Sequence, residues 1–202
     1  MGIRAGKTRW NAKDRAALRF KSTQPGAHLT LLHAHGANPL DYRGQLEVVF
    51  DAGGQLAAVM LTRSEDLVAG TVPSESYATA PIEALKTQAI AARTELFSKL
   101  GHRHGHHPWL LCDEVDCQVY RGASAQHPRT DRATQATRGQ LLFNTTRIDS
   151  SGEHPLAHAQ YSAICGGHTE DNDAVWNQHP SPLLRGHPDG NVPPPPPLPP
   201  PP

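Results

Sequence analysis

The chain has 202 residues, enough for one domain with extensions, and its 19 Lys plus Arg against 19 Asp plus Glu leave no formal net charge. That balance argues against a protein held on nucleic acid by bulk charge, which needs concentrated Lys and Arg. No apolar run approaches the roughly 20 residues of a membrane span, while 13 His mean that acidification toward about pH 6 makes the chain basic.

The basic start, MGIRAGKTRWNAKDRAALRF, lacks the apolar stretch of a signal peptide. Residues 1–41 read as an N-terminal extension, in which TLLHAHGANPLDY holds a short strand. Gln45–Phe50 alternates and is rich in β-branched residues; Asp51-Ala-Gly-Gly54 is a turn signal, and Gln55–Thr62 returns, so a hairpin is predicted. Ser64 is placed to cap a short helix over Glu65–Ala69, with two acids in its first turn, and Gly70 is expected to end it. A tight Pro-containing turn, VPSE, then carries one isolated carboxylate, Glu75. Pro81 suits the first position of the next helix, where Ile82, Leu85, Ala89, Ala92 and Leu96 recur at spacings of three and four and Gly101 gives a stop. On that helix Lys86 and Arg93 are about two turns apart and share a face, whereas Gln88 lies well round from them.

Further on, Gly139–Phe143 and Ala157–Ile164 read as strands separated by turn-rich sequence. The tail, NVPPPPPLPPPP, can form neither helix nor ladder because proline has no N–H, so a disordered polyproline rod is expected, a spacer or a ligand for an aromatic groove. The predicted fold is α+β, with antiparallel strands packed around one long Ala-rich helix, a His/Cys loop and that tail. The predicted division is 1–41 extension, 42–190 domain and 191–202 tail.

Three groups of residues carry possible chemistry. A lone acid, Glu75, with Lys86, Gln88 and Arg93 on the following helix suits a sugar or other polyhydroxy substrate; the plain alternative is an exposed turn acid beside a solvated helix face. A His cluster, 102 to 107, precedes Cys112 and Cys117, whose thiolates with an imidazole suit zinc. A Cys112–Cys117 disulfide and free thiols remain alternatives, as does a zinc hydrolase centred on the pair; His102 and His104 read as loop residues. Finally, Gly166 and Gly167 let backbone approach a ligand closely, and His168 and Thr169 could hydrogen-bond sugar hydroxyls; a β-turn with a partly buried Cys165 is the competing reading. Trp176 could stack on a sugar or sit in the core.

VPSE, EALKTQAIAAR, CDEVDCQVYRG, ATRGQLL, CGGHTED with a downstream Trp, and PLLRGHPDG occur in one order. Together they resemble the stage II sporulation protein D / LytB amidase-enhancer family over roughly residues 42–189. The resemblance implies an envelope or secreted protein acting on peptidoglycan glycan strands, either as a lytic transglycosylase or as a non-catalytic enhancer of a cell-wall amidase. It makes Glu75 the catalytic acid and base, which calls for a partly dry cleft. It makes Lys86, Gln88, Arg93 and Tyr120 substrate contacts, and Gly166, Gly167, His168 and Thr169 a cleft wall facing Glu75. It also implies a structural zinc on His106, or His107, with Cys112 and Cys117. Two departures stand out: Ser76-Tyr77 follow Glu75 where family members usually have Met-Pro, and proline repeats replace a usual His/Gly-rich C-terminal segment, as in a truncated domain.

Overall fold

Asp51 closes the predicted hairpin. Its carboxylate accepts from the Gln55 N–H (2.8 Å) and its own N–H donates to the Gln55 carbonyl (2.9 Å), so the chain reverses over Ala52–Gly54. The resulting antiparallel pair runs from Gln45↔Leu61 to Phe50↔Leu56. In the computed structural model, which describes residues 2–5, 8–11, 17–24, 26–32, 38–176 and 179–190, seven strands and four α-helices are defined. The strands are β1 (Gly2–Ala5), β2 (Thr8–Asn11), β3 (Leu18–Lys21), β4 (Leu29–Leu31), β5 (Leu40–Tyr42), β6 (Gln45–Phe50) and β7 (Leu56–Leu61). The helices are α1 (Ser64–Glu75), α2 (Ile82–Lys99), α3 (Pro128–Ala136) and α4 (Asn172–Val175). β3 joins the edge of the β6–β7 hairpin, and β1–β2 and β4–β5 form separate antiparallel pairs. The fold is α+β, as the sequence pattern predicts.

The chain divides into two units, 1–141 and 142–202. Part of the expected N-terminal extension therefore belongs to the first unit: β3 supplies a sheet strand, and the Asp41 N–H donates to the Ser124 hydroxyl (2.7 Å). The proline-rich tail lies outside the described residues.

The first unit's buried cluster lies among helices. Val68 and Val72 on α1, Leu85 and Ala89 on α2 and Ala133 on α3 pack together, with Ile82 at the margin. Small Ala residues let these helices approach closely. The apolar stripe predicted on α2 is the buried one, and Gly101, at φ 77°, follows its end in the left-handed conformation.

Several expectations need correction. Ser64 opens α1 and does not cap it, since Arg63 holds the cap position. α1 does not stop at Gly70 but continues through Pro73 to Glu75, so VPSE is the end of a helix and not a free turn. Gly70 is there for close packing: a Cβ on it would lie 2.5 Å from the Tyr120 ring and 2.7 Å from the Gly122 carbonyl oxygen. Pro73 lacks the N–H that would bond the Ala69 carbonyl, and the helix ends two residues later. The strands expected over 139–143 and 157–164 reduce to a single Phe143↔Leu156 bridge flanked by two backbone hydrogen bonds. α3, unforeseen, starts at a Pro in its first position and is capped by the His127 ring, which accepts from the Arg129 N–H.

Candidate functional site

Glu75 is the last residue of α1, at the negative end of the helix dipole, with no cation in its last turn. Its side chain is half-buried, and Oε1 accepts a hydrogen bond from the Val119 N–H at 2.6 Å. Oε2 takes no hydrogen bond among the described residues. The segment that presents Val119 is clamped at each position. The Cys117 carbonyl accepts from Lys99 Nζ (2.6 Å), the Gln118 amide donates to the Ala92 carbonyl (3.2 Å), and the Tyr120 N–H donates to the Asp113 carbonyl (3.1 Å). The Tyr120 ring packs on Gly70 and lies 5.9 Å from that of Tyr42; burial first, and the nearby Tyr42 and Asp66 second, push its hydroxyl up to about 12. On the other side of Glu75, Arg129 donates to the carbonyls of Ala78 (3.2 Å) and Ala80 (2.9 Å), fixing the link to α2. The carboxyl thus sits between two pinned segments with one oxygen uncommitted.

The expected cationic partners are placed otherwise. Arg93 is 1% exposed and forms a two-pronged pair with Glu65, Nε and Nη2 each 2.9 Å from a carboxylate oxygen; its Nη groups also reach the Ala89, Thr134 and Gln140 carbonyls. Every prong of the guanidinium is therefore committed inside the protein, which corrects its assignment to substrate. Burial works to raise the Glu65 carboxyl, but Arg93 and the Gly139 N–H outweigh it and hold it below its usual range. Lys86 pairs with Glu83 on the surface of α2 (2.8 Å). The Gln88 amide nitrogen is buried without a hydrogen-bond partner among the described residues, and Tyr120 is buried by packing on Gly70.

In the His/Cys loop the structure brings together His104, Cys112, Asp116 and Cys117, with one ligand atom from each within 4.8 Å of the others. His104 Nε2 is 3.2 Å from Cys117 Sγ, to which the Cys112 N–H also points at 3.4 Å. All three cysteines are free, so the alternative disulfide is not formed. His106 is exposed and outside the cluster; His107 stacks on Trp109 (4.4 Å between centroids). The imidazole of this cluster is therefore that of His104, which had read as a loop residue. Two thiols and one imidazole are donor types that zinc takes. The Asp116 carboxylate nearby is shared with Arg103. Burial raises the Cys117 thiol, the Cys112 N–H opposes this, the Cys112 thiol adds to it, and Lys99 opposes it further.

The second unit holds the remaining predicted residues. Gly166 and Gly167 have φ of 68° and 91°, a region that favours glycine, and the chain beyond them pairs back on 186–189: His168 bridges Pro188, and the Asp189 N–H donates to the Gly167 carbonyl (2.8 Å). The Thr169 hydroxyl is occupied within this turn, accepting from the His187 N–H (2.9 Å) and donating to its carbonyl (3.2 Å). Arg185 bridges Asp171, Asn172 and Asp173, which holds PLLRG on α4. Cys165 is exposed, and so is Trp176, at 43%, which corrects the partly buried cysteine and the core tryptophan.

Sequence reasoning missed His104, Asp116 and the Val119 amide. The two side chains lie within the motif already singled out, but ring direction is tertiary information; a backbone N–H leaves no trace in the sequence. Two cavities, of about 690 and 410 Å³, open elsewhere, and Glu75 lines neither. No described helix is long and apolar enough to cross a membrane.

Residues 52–143 match the family model described as SpoIID, stage II sporulation protein. An uncharacterised protein of Brachyspira hyodysenteriae is 27% identical over 139 residues, 69% of this chain and 35% of its own length. The amidase enhancer of Bacillus subtilis is 34% identical over 109 residues, 54% of this chain and 13% of its own. The matched stretches thus span about a third or less of these relatives.

Proposed function

Residues 52–143 belong to the SpoIID family, and from that premise we propose that the chain has a cell-wall role in which it binds peptidoglycan glycan strands and cleaves them as a lytic transglycosylase with Glu75 as the single acid and base. The observation that carries this reading is the Glu75 carboxyl, held by the Val119 amide through one oxygen and unbonded at the other. The protonated oxygen gives its proton to the glycosidic oxygen between N-acetylmuramic acid and N-acetylglucosamine; the bond from that oxygen to muramic C1 breaks, and N-acetylglucosamine leaves with a free hydroxyl. The same group, now a carboxylate, takes the proton of the muramic C6 hydroxyl as that oxygen bonds to C1. The product is a 1,6-anhydro sugar, no water is consumed, and one carboxyl suffices. An ordinary glycosidase needs two, roughly 5 Å apart when retaining and about 6.5–9.5 Å when inverting.

Zinc fits His104, Cys112 and Cys117, and when bound it would supply a cross-link between the two arms of the loop. The residues of that loop bear on Glu75 through the chain: Cys117 is two residues from Val119, whose N–H holds the carboxyl. His104 and the thiols therefore act as positioning residues in this reading.

A second reading is favoured by the name of the Bacillus relative, an amidase enhancer: a non-catalytic wall-binding module that stimulates an amidase. Mass spectrometry of sacculi incubated with the full chain separates the two. Anhydromuropeptides from the protein alone are expected for the transglycosylase. Their absence, with faster stem-peptide release once an amidase is added, would leave the enhancer.

A further inference from the structure

The cavity of about 690 Å³ lies at the opposite end of α1 from Glu75, between the end of β3, the start of β6 and the β7–α1 junction. Twelve residues separate Arg63, on its rim, from Glu75, which is about 18 Å along a helix. Its wall carries three cations, Lys21, Arg43 and Arg63, against one carboxylate, Asp66. Asp66 is itself held by Arg63, whose Nε and Nη2 lie 2.8 and 3.3 Å from its two oxygens. The local excess is therefore two positive charges in a chain that is neutral overall.

Two atoms on this wall are buried without a hydrogen-bond partner among the described residues: Arg43 Nε and Thr62 Oγ1. Arg43 also enters no ion pair there, although its charge reaches Tyr120 and Asp131. A buried N–H left unbonded is costly, more so when the group is charged, so native proteins rarely keep one. Here the two residues that carry this guanidinium N–H and this hydroxyl line one sugar-sized space. Arginine in this setting suits a flat oxyanion, which it can grip with two N–H groups.

We propose that this groove is an anion subsite that takes a carboxylate or phosphate group borne on a polyhydroxylated polymer, with Arg43 and Thr62 as its floor and Lys21 and Arg63 at its rim. The proposal rests on the cell-wall reading only for the polymer that carries the anion; the groove's preference for an oxyanion follows from its own charges. It gives the chain a hold on its ligand remote from Glu75 and independent of chemistry there.

The test uses the full chain carrying Glu75→Gln, so that binding is read without turnover and its failure is distinct from failure of the transglycosylase reading. Calorimetric titrations with N-acetylmuramic acid, inorganic phosphate and the neutral N-acetylglucosamine are compared. Saturable binding of an anion, with no binding of the neutral sugar over the same range, is expected. Muramic acid alone binding marks a sugar carboxylate as the source, and phosphate alone marks a phosphate-bearing polymer. Arg43→Gln should weaken the bound anion at least tenfold. Because that residue is partly buried, the exposed pair Lys21→Gln with Arg63→Gln provides a second variant, expected to weaken binding at least threefold while thermal unfolding shows the fold retained. Binding of neither anion, equal binding of the neutral sugar, or an affinity unchanged in the folded double variant would overturn the proposal.

Discussion

Glu65 and Glu75 stand at the two ends of one helix, and their surroundings differ in kind. Glu65, in the first turn, is gripped by the buried Arg93 guanidinium through two hydrogen bonds and sits near the Gly139 N–H. Glu75, the last residue, is held by one backbone amide and has an oxygen to spare. An acid surrounded by cationic donors is fixed as a carboxylate and ties elements together. An acid steadied at one oxygen leaves the other open to a ligand. From the sequence Arg93 reads as a substrate contact near Glu75; the fold pairs it instead with an acid 28 residues away.

The sharpest break in that contrast comes from Glu65→Gln. Removing one partner of a buried pair leaves the other charge uncompensated, so a loss of about 3 kcal/mol in denaturant-measured stability is expected, the lower end for such pairs because Glu65 is partly exposed. A depressed carboxyl contributes stability that is complete above its unfolded value, ordinarily 4.5, and is lost as pH falls through the folded value. The gap between the natural chain and Glu65→Gln should therefore narrow as pH drops below 4.5. A gap that holds constant from pH 7 to pH 3 would mean the pair is not the cause.

In the loop beside Glu75 the two imidazoles differ in place, His104 within the thiol cluster and His106 outside it. His104→Ala should weaken zinc binding at least a hundredfold, about 2.7 kcal/mol, while His106→Ala stays within about threefold; competition with a chromogenic chelator reads both, and the reverse order would return the ligand role to His106. Next in size is Gly70→Ala, where the new methyl meets the Tyr120 ring and the Gly122 carbonyl oxygen. A net loss of about 2 kcal/mol is expected despite the better helix propensity of Ala, and a stabilised variant would show that α1 and the Tyr120 segment are less tightly apposed. Smallest is Lys86→Ala, which breaks a surface pair with Glu83 and should shift stability by less than about 0.5 kcal/mol; a larger loss would reveal a structural partner.

What was legible in the sequence was local. The β6–β7 hairpin announced itself by alternation and an Asp-Ala-Gly-Gly turn, and α2 by its apolar stripe and the Gly101 stop. The errors arose where distant chain intervenes. Gly70 reads as a helix terminator until Tyr120 is seen packed against it. The alternating residues of 157–164 lack a strand partner beyond one bridge and do not form a ladder. At the candidate site the residue types were found, Glu75 and the two cysteines among them, but His104 in place of His106 and the Val119 amide depend on how the loop folds back on α1. The resemblance to the SpoIID/LytB family was carried by the order of short motifs and agrees with the match over 52–143.

The division of labour along α1 comes down to one comparison: the yield of 1,6-anhydromuropeptides from purified sacculi with the natural chain and with Glu75→Gln, each confirmed folded by thermal unfolding. A fall of at least about a hundredfold, at a stability within about 1 kcal/mol of the natural chain, is the predicted result. An undiminished yield from the folded variant would contradict it.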